Sequence, residues 1–196
     1  MTKDRVSPLV TNATNHMMRR YGWILLSVAA LVWCVALSPN GEQGTDVERI
    51  LKRFPGYHLL TLQERDPYLK GFLAQHFPKS NPSVVRADFN GDGRQDYALL
   101  LKNDKLGKTM LVVVLCPADG QCKKVYELDE TTYAAIVYLR PVAPGSKVSQ
   151  TEAVDGSTSP VKLRSTGIRV TYFEKAEVVL YWNPKLRKIE EVQTGD

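Results

Sequence analysis

Between two apolar runs the chain reads Asp88-Phe89-Asn90-Gly91-Asp92-Gly93-Arg94-Gln95-Asp96, with oxygen-bearing side chains at alternating positions. Calcium is a hard cation that takes six to eight oxygens, and a tight loop aims side chains from its first, third and fifth positions inward. The seventh position contributes its backbone carbonyl. Here those are Asp88, Asn90 and Asp92, with Arg94 at the main-chain position; Asp96, at the ninth, binds directly or through water. Gly93 permits a reversal that residues with a Cβ resist. Three carboxylates within nine residues repel one another unless a cation sits among them. The alternative is an acidic turn without an ion, since Asp, Asn and Gly favour turns on their own account.

A helix-flanked calcium hand carries a bidentate Glu at its twelfth position. That position is Leu99, inside the apolar run after the loop. An acidic loop with a strand on either side resembles instead the calcium-binding loops of FG-GAP and VCBS type repeats. The resemblance implies side-chain ligands from Asp88, Asn90, Asp92 and Asp96 and a main-chain ligand from Arg94, with Ca2+ in a structural role. It covers one loop, and a single copy cannot build the propeller that several copies form. The layout as a whole also resembles small bacterial envelope proteins that carry one such motif.

Residues 21–37 read YGWILLSVAALVWCVAL, uncharged and directly after Arg19-Arg20. This is the arrangement of a secretory signal or a membrane anchor, with the arginines on the cytoplasmic side. The expected organisation is a cytoplasmic or signal region at 1–20, the signal peptide or transmembrane anchor at 21–38, a linker at 39–44 and one extracytoplasmic domain at 45–196. Membrane attachment through residues 21–37 follows if they are not removed. Trp33 stands where a lipid-attachment box needs a small residue, so Cys34 is expected to be a plain lipid-facing thiol.

Cys116 and Cys122 flank Pro-Ala-Asp-Gly-Gln between two strand-like runs. A disulfide across the neck of that hairpin is expected in an oxidising compartment, with a pair of free thiols as the alternative. So short a closed loop would gain about 2 kcal/mol from the link.

The formal charge is +5. Lys3, Arg5, Arg19 and Arg20 against Asp4 account for +3 of it, which leaves +2 for the remainder. That is too little for the basic stripe that nucleic acid requires.

The acidic loop needs strands to hold it. Thr45-x-x-Glu48 offers a capping box for a first helix, whose apolar face is Val47, Ile50, Leu51 and Phe54. After the short apolar piece YHLLTL, Asp66 and Pro67 open a second helix with Leu69, Phe72, Leu73 and Phe77 on its face. From Val84 onward the pattern is strand: SVVRADF, YALLL, TMLVVVL, KKVYEL and AIVYLRPV. After a Gly/Ser/Pro/Thr-rich loop at 143–160 come the alternating Ile168, Val170 and Tyr172, then EVVLYW and KIEEV. Two N-terminal helices followed by hairpin-connected strands predict an α+β fold with a mainly antiparallel β-sheet, preceded by a signal or anchor helix.

Gly107-Lys108-Thr109 ends like a phosphate-binding loop, but its first glycine would fall at Lys102 and a strand follows, so it is expected to be a hairpin turn. His58 and His76 have no visibly grouped partners for a zinc site or a catalytic triad. Tyr172, Phe173, Tyr181 and Trp182 form either a sugar- or peptide-binding face or ordinary sheet core. Taken together, these features predict a non-catalytic, calcium-stabilised binding or structural module of the cell envelope, with a protein or glycan partner. The alternative is an envelope hydrolase, or a hydrolase inhibitor, using a cleft of carboxylates and aromatics, with Asp155, Glu174 and Glu177 as the candidate carboxylates.

Overall fold

The computed structural model describes residues 42–150 and 160–195. The expected signal or cytoplasmic region, the apolar segment 21–38, the start of the linker and Asp155 lie outside the described residues. No helix among the described residues is long and apolar enough to cross a membrane. The chain divides into residues 1–46 and residues 47–196. Of the first unit only the opening residues of one helix are described.

In chain order the elements are α1 (Glu42–Leu51), β1 (His58–Leu59), α2 (Pro67–His76), β2 (Val84–Ala87), β3 (Asp96–Asn103), β4 (Lys108–Leu115) and β5 (Lys123–Asp129). There follow β6 (Val137–Val142), β7 (Lys147–Val148), β8 (Val161–Lys162), β9 (Gly167–Tyr172), β10 (Ala176–Asn183) and β11 (Lys188–Gly195). The first sheet runs β1-β3-β4-β5, with β2 sharing the β1 side of β3. β2 takes residues 96–99 of β3, and β1 takes residues 101 and 102. The second sheet runs β11-β10-β9-β6, and β7 and β8 form a separate ribbon. Every pairing is antiparallel.

Alternation along β3 and β4 splits their side chains between two cores. Ala98, Leu100, Leu111, Val113 and Leu115 face the second sheet, where they join Val137, Leu139, Ile168, Val170, Leu180 and Ile189. Tyr97, Leu99, Leu101, Met110, Val112 and Val114 form the other core, together with Val47 and Ile50 of α1. A strand covered on both faces needs no polar positions, so it reads as an unbroken apolar run. That is the physical content of YALLL and TMLVVVL.

The expected α+β class is contradicted. The described residues are mainly antiparallel β-sheet, and the two helices are short, ten residues each. Nor do the helices form a layer of their own. α1 contributes to the outer core of the first sheet, whereas Leu69 and Leu73 of α2 pack with Tyr138 of β6 in a separate cluster. A strand, β1, intervenes between them in the chain. Each helix is therefore a cover for a sheet face, and the architecture is set by two sheets meeting across one core.

The cap of α2 forms as its residues dictate: Asp66 accepts from the amides of Tyr68 at 2.8 Å and Leu69 at 3.3 Å, with Pro67 first in the helix. α1 begins at Glu42, so Thr45 lies within the helix and is not its cap.

Leu100 and Leu101 are adjacent in β3, fully buried, and in different cores. Replacing either with alanine is expected to cost about 2–5 kcal/mol in urea unfolding. A neutral effect at one of the two would contradict burial on both faces.

Candidate functional site

Residues 88–95 close the β2–β3 hairpin, whose last ladder pair is Ala87 with Asp96. The Asp88 carboxylate organises the loop. Its Oδ1 accepts from the amides of Gly91 at 2.7 Å and Asp92 at 3.2 Å, and its Oδ2 accepts from Gly93 at 2.7 Å. Asn90 Oδ1 accepts from the Asp92 amide at 2.9 Å, and Asp92 Oδ1 from the Arg94 amide at 2.9 Å. Asn90 Nδ2 donates to Asp92 Oδ2 at 3.1 Å. Wrapping amides around one carboxylate requires two left-handed positions, and glycines occupy both: Gly91 at φ 82° and Gly93 at φ 80°. A Cβ at either would meet open space, so the demand is on backbone conformation alone.

Phe89 roots the loop. Its side chain is buried in the core between the sheets, while its carbonyl accepts from Ser165 Oγ. The Thr166 amide donates to the Asp88 carbonyl at 3.2 Å. The turn leading into β9 thus holds the start of the loop, and the tip from Gly91 to Gln95 stays exposed.

The five expected ligand positions separate into two groups. Asp88 and Asn90 are half-buried, and Asp92 and Arg94 are exposed. Asp96 is fully buried at the base. Its Oδ2 accepts from the Phe89 amide at 3.0 Å and its Oδ1 from the Cys116 amide at 2.9 Å. Burial pushes the Asp96 carboxyl above its usual range; the two amides oppose that, and the negative charges of Asp92 and Asp88 add to it. Asp88, Asp92 and Asp96 do not bring ligand oxygens within 4.8 Å of one another as a set of three.

Cys116 and Cys122 are joined, with an S–S distance of 2.05 Å. The link closes the β4–β5 turn. The β3–β4 register, with Tyr97 opposite Val114, brings the start of β3 beside the end of β4. The acidic loop and the disulfide-closed turn therefore share one end of the first sheet, bridged by Asp96.

One group of three potential metal ligands does form among the described residues: His58, Glu64 and Asp104. Their sequence separation hid it. His58 Nε2 lies 3.4 Å from Glu64 and its Nδ1 3.9 Å from Asp104. An ammonium already stands between the carboxylates, with Lys102 Nζ 2.7 Å from Glu64 and 3.1 Å from Asp104. Burial raises the Glu64 pKa, but hydrogen bonds from Lys102, Thr61 and His58 outweigh it and hold the carboxyl at about 2. This is an ion-paired network that fastens the β1 exit to the β3–β4 turn.

His76 ends α2, with its ring 4.5 Å from Phe72. Gly107 lies in the β3–β4 hairpin turn at φ 61°. Glu174 sits at φ 56° in the β9–β10 turn, and Glu177 pairs with Arg169 at 3.2 Å. The four aromatics considered together in the sequence divide among three clusters. Tyr172 and Trp182 adjoin the core between the sheets, Tyr181 adjoins the cluster under the β7–β8 ribbon, and Phe173 packs with Phe72 of α2.

Two buried polar centres carried no sequence signal. Arg65 donates to the Val137 carbonyl and to Ser83 Oγ, and Ser83 Oγ donates to the Leu60 carbonyl. Burial pulls the guanidinium down to about 10, against the pull of neighbouring Glu64. Glu130, also buried, accepts from the Tyr172 hydroxyl at 2.7 Å. Burial pushes the Glu130 carboxyl up to about 7, assisted by the charge of Asp129 and opposed by the Tyr172 hydroxyl.

Comparison with protein-family models, curated proteins and solved structures finds no match to this chain.

Asp96→Asn turns one of two acceptor oxygens into a donor facing an amide. It is expected to cost about 1–3 kcal/mol in chemical unfolding, the penalty for a buried group left unsatisfied; an unchanged midpoint would refute the bridge.

Glu130 gives a pH dependence with a fixed sign. A carboxyl whose pKa is higher folded than unfolded destabilises the fold once ionised. The cost is absent below about pH 4.5, grows towards pH 7 and is complete above it. For a rise from 4.5 to about 7 the ceiling is about 3 kcal/mol. Glu130→Gln should therefore melt higher than the parent at pH 8 and level with it near pH 4.5. Equal melting at both pH values would remove the claim.

Proposed function

We propose that the chain is a non-catalytic, calcium-stabilised binding or structural module that works outside the cytoplasm, and that the ion locks the β2–β3 junction. The observation that carries this reading is the loop at 88–95. Its Asp88 carboxylate is already encircled by three amides, its glycines supply both left-handed positions, and Asn90 and Asp92 stand at the open tip.

Asp88, Asn90 and Asp92 would hold the cation with the Arg94 carbonyl, since each carboxylate oxygen retains acceptor capacity beyond the amides it binds. Asp96 fits a different part. With both oxygens taken by amides and no exposure, it sets the loop base and reaches an ion only through the loop or a water. A bound calcium would offset the repulsion among Asp88, Asp92 and Asp96 and supply what the exposed tip lacks in packing. The disulfide fastens the neighbouring turn and suits an oxidising compartment.

Extracellular sites of this kind bind at about 10⁻⁴ to 10⁻³ M. At 10 mM calcium, mass action then stabilises the folded chain by about 1.4–2.7 kcal/mol, which raises the melting temperature by several degrees. The full-length chain should show that rise with calcium and lose it with chelator. Asp92→Ala should melt like the parent in chelator and gain nothing from calcium. The proposal fails if the parent melts at one temperature across millimolar calcium and binds no lanthanide.

A further inference from the structure

β8, the end of β10 and the turn after it border an open cavity of about 240 Å³. Two kinds of group line it. Tyr181 supplies a half-buried aromatic ring, and Lys162, Arg164 and Lys185 supply exposed cations. Among the described residues none of these three cations is ion-paired. Lys162 also lies directly opposite Lys147 in the β7–β8 ribbon, a placement in which like charges repel. Nearby Lys188 differs, since it lies 3.4 Å from Glu190. Among the described residues, no carboxylate pairs with the three cations at the cavity.

The frame around the cavity is set beforehand. Glu190 accepts from the Tyr181 hydroxyl at 3.0 Å and from Asn183 Nδ2 at 2.6 Å. Asn183 Oδ1 in turn accepts from the amides of Lys185 and Leu186 at 3.0 and 3.2 Å. These bonds hold an aromatic wall and the adjoining turn in one arrangement, which lowers the ordering cost of binding.

We propose that this cavity binds an acidic sugar residue of a polysaccharide, its ring against Tyr181 and its carboxylate or sulfate against Lys162, Arg164 and Lys185. The volume falls below the roughly 300–1,000 Å³ of pockets that enclose drug-sized ligands, so it suits one ring of a longer chain. The electron-rich face of the Tyr181 ring attracts the C–H face of a saccharide. A guanidinium flanked by ammoniums matches a planar carboxylate or a sulfate. A nucleic-acid strand would need a basic track under several phosphates and a row of stacking rings. The chain beyond its apolar segment carries only +2, and the cavity offers one aromatic wall. The assignment goes beyond the calcium reading and stands on the cavity alone.

Calorimetric titration of the full-length chain tests it, using an oligogalacturonate, a neutral cello-oligosaccharide of equal length and an oligothymidylate. Each titration is run in chelator and again in millimolar calcium. The oligogalacturonate should bind under both conditions, more weakly as salt rises, and the neutral sugar should not bind. Arg164→Ser with Lys185→Ser should weaken binding by at least about tenfold, the loss expected for charge-assisted hydrogen bonds, without changing the melting temperature. Asp92→Ala should bind like the parent, which separates this result from the fate of the calcium site. Failure of the oligogalacturonate to bind, equal binding of the neutral sugar, or preference for the oligothymidylate would each overturn the proposal.

Discussion

One buried carboxylate fixes the geometry at the end of the first sheet where chemistry is exposed. Asp96 begins β3, closes the ladder with Ala87 of β2, and spends its two oxygens on amides from opposite directions. One amide belongs to Phe89 in the acidic loop, and the other to Cys116 at the mouth of the disulfide-closed turn. Burying a carboxylate is costly unless its hydrogen-bonding capacity is met, and here it is met by groups that also need partners. Two loops that would otherwise move separately thereby share a hinge point. The exposed tip from Gly91 to Gln95 can then be organised locally by Asp88, Asn90 and Asp92, because its two ends are already placed.

The frame on which Asp96 sits is the β3–β4 pair, and its burial on both faces was legible only in part. The unbroken apolar runs mark strands that meet no solvent, and the strands did form where those runs occur. What covers each face is a long-range matter. Val47 and Ile50 approach from one end of the chain, while Leu180 and Ile189 approach from the other. Local periodicity identified α1 and α2, down to the Asp66 cap, but said nothing of their relation to each other. The α+β expectation failed at that step. Order along the chain suggested a helical layer, whereas the helices cover different sheet surfaces and a second sheet fills the space opposite the first.

The buried polar centres explain why so much of the interior was silent in sequence. Arg65 satisfies a carbonyl of β6 and, through Ser83, another just past β1, so it ties three separate stretches of backbone together. Glu130 ends the first sheet and receives a hydroxyl from β9 of the second. In both cases the partner is distant in sequence, and two of the four acceptors are backbone atoms, which leave no trace in residue identity. His58, Glu64 and Asp104 teach the same lesson. Each looks like an ordinary surface residue until the β1–β3 pairing and the β3–β4 turn bring them together around Lys102.

Sites built from consecutive residues are the easier ones to read. The alternation of oxygens from Asp88 to Asp92 and the glycines between them are local requirements of one turn, so the sequence displays them in order. The role of Asp96 was not local in that sense. Spacing alone placed it as a ninth-position ligand, but its environment depends on Cys116, twenty residues away and brought near by the β3–β4 register. The basic cavity lies at the other extreme. Tyr181 and Trp182 were visible as strand aromatics, and alternation would send them to opposite faces of a regular strand. Trp182 accordingly adjoins the core between the sheets and Tyr181 the cluster under the β7–β8 ribbon, and it is beside Tyr181 that Asn183, ending β10, turns the backbone and brings Lys185 to the cavity. A polar residue that reverses the chain there does more to define the cavity than the aromatics that first drew notice.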